Sequence, residues 1–140
     1  MSAATVDALS GALARVGDRW SLLVVDALSA GPGRFADLEA ALPGIATNVL
    51  AQRLRRLEAD QVVMATPYST RPRRFVYALT EAGRALDGAV RLLAQWSAEH
   101  GDGDADTPAH PDCGTPLVAR WWCPTCDRLS DAGPSDALWV

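Results

Sequence analysis

The chain has 140 residues, enough for one compact domain and a small additional module. Apolar residues make up 49% and charged residues 21%, so a real core can be buried and a disordered chain is excluded. The formal net charge of −4 is uneven: residues 1–100 carry 11 Arg against 10 Asp and Glu, and residues 101–140 carry 2 Arg against 7 Asp. The acidity belongs to the tail, and the first hundred residues remain compatible with a local basic patch.

The longest uninterrupted aliphatic run is Leu22–Val25, far short of the roughly 20 apolar residues of a membrane span. The stretch MSAATVDALS has no basic segment ahead of an apolar one. No secretory signal is expected, and the chain reads as soluble and cytoplasmic.

Val6, Leu9, Leu13 and Val16 recur at spacings of 3, 4 and 3, one apolar helical face. Gly17-Asp18 breaks the pattern. A second helix is expected over about Trp20–Leu28, ending before Gly31-Pro32-Gly33, and a third over Phe35–Leu42, ended by Pro43-Gly44. In IATNVLAQRLRRLEAD, Leu50, Leu54 and Leu57 recur at 4 and 3, with Thr47 or Asn48 available as a cap. Two helices joined by a tight Gly-containing turn have helix-turn-helix spacing. The period then changes. Val62, Val63, Tyr68, Phe75, Val76 and Tyr77 predict a β-hairpin whose loop, Ser69–Arg74, is rich in Arg. A final helix is expected from Thr80-Glu81 to His100.

A helix that reads DNA needs a polar face toward the major groove and an apolar face toward its own core. With Leu50, Leu54 and Leu57 on the core side, about 100° per residue puts Asn48, Gln52 and Arg55 opposite, with Arg56 beside them. Asn and Gln pair bidentately with adenine, and Arg with guanine. A merely solvated face would be polar too. Arg53 falls nearer the core edge, where a structural ion pair is the expected role. Arg71, Arg73 and Arg74 crowd three cations within four residues of the hairpin, an arrangement that gains when phosphates lie between them.

The stretches VGDRWSLLVVDAL, RFADLEAALPGIATNVLAQRLRRLEAD and PYSTRPRRFVYALTEAG, followed by the helix ending in Trp96, give this region a specific signature. Residues Arg15–Trp96 resemble the HxlR-type winged-helix transcriptional regulators, relatives of the MarR type. The resemblance implies a homodimer on a pseudo-palindromic operator in double-stranded DNA. It implies a recognition helix in Ala46–Arg56, beginning at Thr47 and Asn48, a wing at Ser69–Arg74, and a dimer interface from the first and last long helices. The sequence departs from the family in three places. No cysteine precedes the first helix, so thiol sensing by that route is not supported. Gln61 stands where a helix-ending Gly is usual, and Met64-Ala65-Thr66 where basic residues are frequent.

All three cysteines lie in HPDCGTPLVARWWCPTCDR. His110-x2-Cys113 and Cys123-x2-Cys126 are paired knuckles with the ligand types of a closed Cys3His zinc site. The nine-residue connector is long enough for a small hairpin, and so small a module needs a staple. A Cys123–Cys126 redox pair and a metal-free hairpin remain as alternatives.

The expected class is therefore α+β and mostly helical. Residues 1–100 form the winged helix-turn-helix and dimerisation domain, 101–109 (GDGDADTPA) a linker, and 110–140 a zinc-ribbon-like tail. No HExxH, GxSxG, P-loop or complete GxGxxG is present, so an enzyme is not expected. Trp20, Trp96 and the aliphatic faces offer either dimer core or the wall of a pocket for a small-molecule effector. The competing function is a protein-interaction adaptor built on the same scaffold, distinguishable by a missing salt dependence of DNA binding.

Overall fold

Apolar spacing and the breaks between runs set the helical frame. The computed structural model describes residues 3–101, 109–117 and 120–130. It contains α1 (Ala3–Val16), α2 (Arg19–Ser29), α3 (Phe35–Ala41) and α4 (Thr47–Ala59). Gly17 closes α1, its backbone N–H donating a hydrogen bond to the Leu13 carbonyl at 2.8 Å. A Cβ there would stand 2.4 Å from that oxygen, so the stop requires glycine. Asp18 then caps α2, accepting the Trp20 and Ser21 amides at 3.1 Å each.

The α2, α3 and α4 faces meet in one core of Val24, Val25, Leu28, Leu38, Leu42, Leu50, Leu54 and Leu57. Leu50, Leu54 and Leu57 are essentially inaccessible. Each such side chain contributes about 1.5–3 kcal/mol of burial. This fixes which side of α4 faces outward.

A short strand β1 (Gly33–Arg34) follows the Gly31 turn, which takes φ 141°. Strands β2 (Val63–Thr70) and β3 (Arg73–Leu79) pair antiparallel, and the sheet order is β1-β3-β2. Two expectations change here. The Gly31–Gly33 segment is more than a turn, because Gly33 and Arg34 pair with Tyr77 and Val76. The expected Ser69–Arg74 loop shrinks to Arg71-Pro72, because Ser69 pairs with Arg74 and Thr70 with Arg73. The arginines thus stand on the tip of a ladder. The register shifts between Pro67 and Ser69.

The last helix is not continuous. Thr80 caps a one-turn α5 (Glu81–Arg84), and α6 (Asp87–His100) starts after a break at Ala85-Leu86. The Thr80 hydroxyl accepts the Gly83 amide at 3.0 Å and reaches the Gln61 carbonyl at 2.6 Å. Gly83 presses on the Val62 carbonyl, where a Cβ would lie 2.1 Å away. The turn is thereby pinned to the start of β2, and the helix restarts beyond it.

The chain divides into two compact units, Met1–Val90 and Arg91–Val140. In the second unit, β4 (Trp121–Cys123) pairs antiparallel with β5 (Arg128–Ser130), and Ala109 makes an isolated bridge with Pro116. The hairpin of β4 and β5 turns through the Cys123–Cys126 segment, whereas the expectation had put a hairpin in the nine-residue connector, of which residues 118–119 lie outside the described residues. Most of the expected linker, residues 102–108, and the tail end, residues 131–140, lie outside the described residues. Among the described residues no helix is long and apolar enough to cross a membrane.

Candidate nucleic-acid interface

The buried leucine stripe leaves Thr47, Asn48, Gln52, Arg55 and Arg56 exposed on α4, and Arg71, Arg73 and Arg74 are exposed on the hairpin. The two sets meet in one place. Arg55 and Glu58 of α4 line a concave groove of about 430 Å3 together with Arg73, Phe75 and Tyr77 of β3. A helix cation and a wing cation thus face the same groove. Burial pushes the Tyr77 phenol above its ordinary pKa, the Glu58 carboxylate adds to this, and Arg55 partly opposes it.

Two cations of α4 are engaged within the fold, Arg53 in the ion pair expected of it and Arg56 while still exposed. Arg53 is half-buried, and its Nε lies 3.0 Å from Asp18 Oδ1. That contact is a charge pair without hydrogen-bond alignment. Arg56 donates to the Ala14 carbonyl at 2.5 Å and lies 3.8 Å from Asp60. Arg15 donates to the Asp60 carbonyl, so the ends of α1 and α4 are tied twice. The expected cap at Thr47 or Asn48 is not made. Ala46 is the capping residue and has no side chain to offer, and the Thr47 hydroxyl bonds Glu39 instead. Thr47 already has helical backbone, one residue too late to cap.

Sequence reasoning missed Arg34 and Tyr68. The Arg34 guanidinium sits 4.9 Å from the Tyr68 ring centroid. Both line a second concavity of about 540 Å3 that also receives Arg73 and Arg74. Only the pairing of β1 with β3 carries Arg34 to the wing. Its one signal in the sequence was its place after a glycine-rich turn.

Of the residues offered for an effector pocket, Trp20 packs against the core with Arg19 over its ring at 4.8 Å. Trp96 is exposed and stacks on His100, whose Nδ1 is 3.0 Å from the Trp96 carbonyl. In the tail, the Cys123 and Cys126 side chains meet. His110 and Cys113 lie in their own turn, closed by the Gly114 amide on the His110 carbonyl at 2.8 Å. Among the described residues no three His, Cys, Asp or Glu side chains converge on one point as a ready metal cage.

Two helices joined by a five-residue turn, a polar outer face on the second, and a cationic three-stranded wing define a winged helix-turn-helix regulator. The HxlR-like helix-turn-helix family model matches residues 15–105, and the chain belongs to that family of transcriptional regulators, not to an enzyme family. It is 37% identical over 123 residues to the HTH-type transcriptional regulator Mb3122 of Mycobacterium bovis, covering 86% of this chain and 77% of that one. It is 35% identical over 85 residues to the HTH-type regulator YtcD of Bacillus subtilis, covering 61% of this chain and 68% of the relative. The crystal structure of YtcD superposes with a TM-score of 0.62 at 33% identity, covering 71% of this chain and 97% of that one. The redox regulator HypR in its reduced form superposes with a TM-score of 0.63 at 30% identity, covering 67% and 93%.

Proposed function

We propose that the chain acts as a homodimeric, sequence-specific DNA-binding regulator on a pseudo-palindromic operator, in the cytoplasm where the chromosome is accessible. The observation that carries this reading is the groove shared by Arg55 of α4 and Arg73 of the wing. One duplex seated there meets a base-reading helix and a phosphate-binding tip at once. Asn48, Gln52 and Arg55 are the base readers. Arg34, Arg71, Arg73 and Arg74 bind the sugar-phosphate backbone. The first amides of α4, left without a side-chain cap, suit a phosphate at the helix N-terminus. Arg53 and Arg56 hold α4 in place, through Asp18 and Ala14 respectively.

Dimerisation accounts for apolar surface that the single chain leaves open. Leu13 is 56% exposed, and Val6 and Leu9 on the same face of α1 are exposed too. Leu93 and Trp96 of α6 are likewise exposed, and α6 buries no residue. Such stripes mark partner surfaces. An effector of such a regulator would be a small molecule.

Selection of bound fragments from the host genome tests the reading and supplies the operator. The expected result is a two-fold-related motif with half-sites about one helical turn apart. Affinity should fall steeply with salt. Binding that shows no sequence enrichment and no salt dependence overturns the assignment in favour of a protein-binding adaptor.

A further inference from the structure

The winged helix leaves the tail unexplained, and none of the tail's described side chains is buried. Its strands β4 and β5 are three residues each. Trp121, Trp122 and Leu129 are all exposed, and none of residues 109–117 and 120–129 is buried. A two-stranded hairpin of that size is marginal at best in water. Chains this small need a disulfide, a metal or a partner.

The two turns of the tail share one construction. His110-Pro111-Asp112-Cys113 is followed by Gly114 at φ 69°, and Cys123-Pro124-Thr125-Cys126 by Asp127 at φ 49°. Each turn thus ends in a left-handed residue directly after its second candidate ligand. Each is closed at its base by antiparallel pairing, Ala109 with Pro116 and Cys123 with Arg128. His110 Nδ1 accepts the Asp112 amide at 3.3 Å, and the Cys113 thiol donates to the Thr115 hydroxyl at 3.2 Å.

We propose that His110, Cys113, Cys123 and Cys126 together bind one zinc ion, which joins the two preformed turns and folds the tail. Three thiolates and an imidazole are a closed tetrahedral set. Their softness selects zinc over magnesium, calcium or manganese. Binding expels the three thiol protons to solvent, so Zn2+ with three thiolates and a neutral imidazole leaves a net charge of −1. Each turn is shaped before the ion arrives, and the ion supplies the link between them that side-chain packing does not.

Full-length protein purified without added metal should contain about one zinc per chain, retained through dialysis and released on titrating the thiols. Cobalt(II) substituted for zinc should give thiolate-to-cobalt charge transfer and the visible bands of tetrahedral coordination. The Cys123→Ser and His110→Ala variants should each weaken cobalt binding more than about 10-fold, leaving helix content unchanged. Because the cobalt spectrum is read on the wild type, a variant that misfolds does not remove the test. Reduced protein that holds no zinc, or cobalt bound octahedrally without sulfur bands, overturns the proposal. So does an undiminished cobalt spectrum in His110→Ala together with Cys113→Ser, which would leave only a Cys123–Cys126 pair.

Discussion

Arg53 Nε of α4 lies 3.0 Å from Asp18 Oδ1, the same carboxylate that caps α2. One side chain therefore fixes both the start of the first core helix and the seating of the helix proposed to read DNA. The Ser21 hydroxyl, fully buried, bonds the second oxygen of that carboxylate.

Asp18→Ala should destabilise the protein by about 2 kcal/mol at neutral pH, from the lost cap and the orphaned Ser21 hydroxyl. Burial by itself raises the Asp18 pKa, but the Ser21 bonds, Arg53 and the Trp20 amide outweigh it and hold it below the usual carboxylate range. A depressed folded-state pKa adds stability above the unfolded value, about pH 4, and loses it as pH falls through the folded value. Denaturant melts of wild type and Asp18→Asn should therefore converge at low pH. A gap that persists unchanged to pH 2 assigns the effect to packing.

Gln61 takes φ 59° at the end of α4, where the Val62 amide bonds the Leu57 carbonyl at 2.8 Å and the Gln61 amide bonds Glu58 at 3.0 Å. This is a Schellman end, whose left-handed residue is usually glycine. Gln61→Gly should raise stability by about 1 kcal/mol, since the side chain strains that backbone region. Thermal unfolding checks it, and an unchanged or lowered midpoint refutes the net gain.

Changes in the wing and in α4 should have different signatures. Arg71→Ala, Arg73→Ala or Arg74→Ala should weaken binding to all DNA sequences alike and lower the salt slope by about one per lost phosphate contact. Gln52→Ala or Arg55→Ala should cost about 1–3 kcal/mol on the operator and relax one base position. Arg56→Ala should act on stability, since its guanidinium holds the Ala14 carbonyl. Titrations at several salt concentrations on operator and random duplex separate the three outcomes.

Leu13→Asp and Leu93→Asp should yield folded monomers, because both side chains are more than half exposed in the single chain. Sedimentation should show wild type as a dimer at micromolar concentration and the variants as monomers of unchanged helix content. A monomeric wild type refutes the dimer.

The amino-acid sequence by itself determined the helices and the outward face of α4. Leu50, Leu54 and Leu57 repeat at the helical period, and a repeat is a local property that neighbouring residues carry. The same local logic placed Arg53 at the core edge, while it was the family resemblance that marked Gln61 as the unusual helix end. Tertiary structure alone decided what depends on residues distant in sequence. A two-residue strand has no alternation to read, so β1 and the arrival of Arg34 beside Tyr68 emerged only from pairing with β3. The difference between Arg55 and Arg56 was likewise hidden. Both are cations on the outer side of one turn, and only the positions of Ala14 and Arg73 separate the one tied to α1 from the one that faces the groove. The break between α5 and α6 has the same origin, because Gly83 meets the Val62 carbonyl through space and not along the chain.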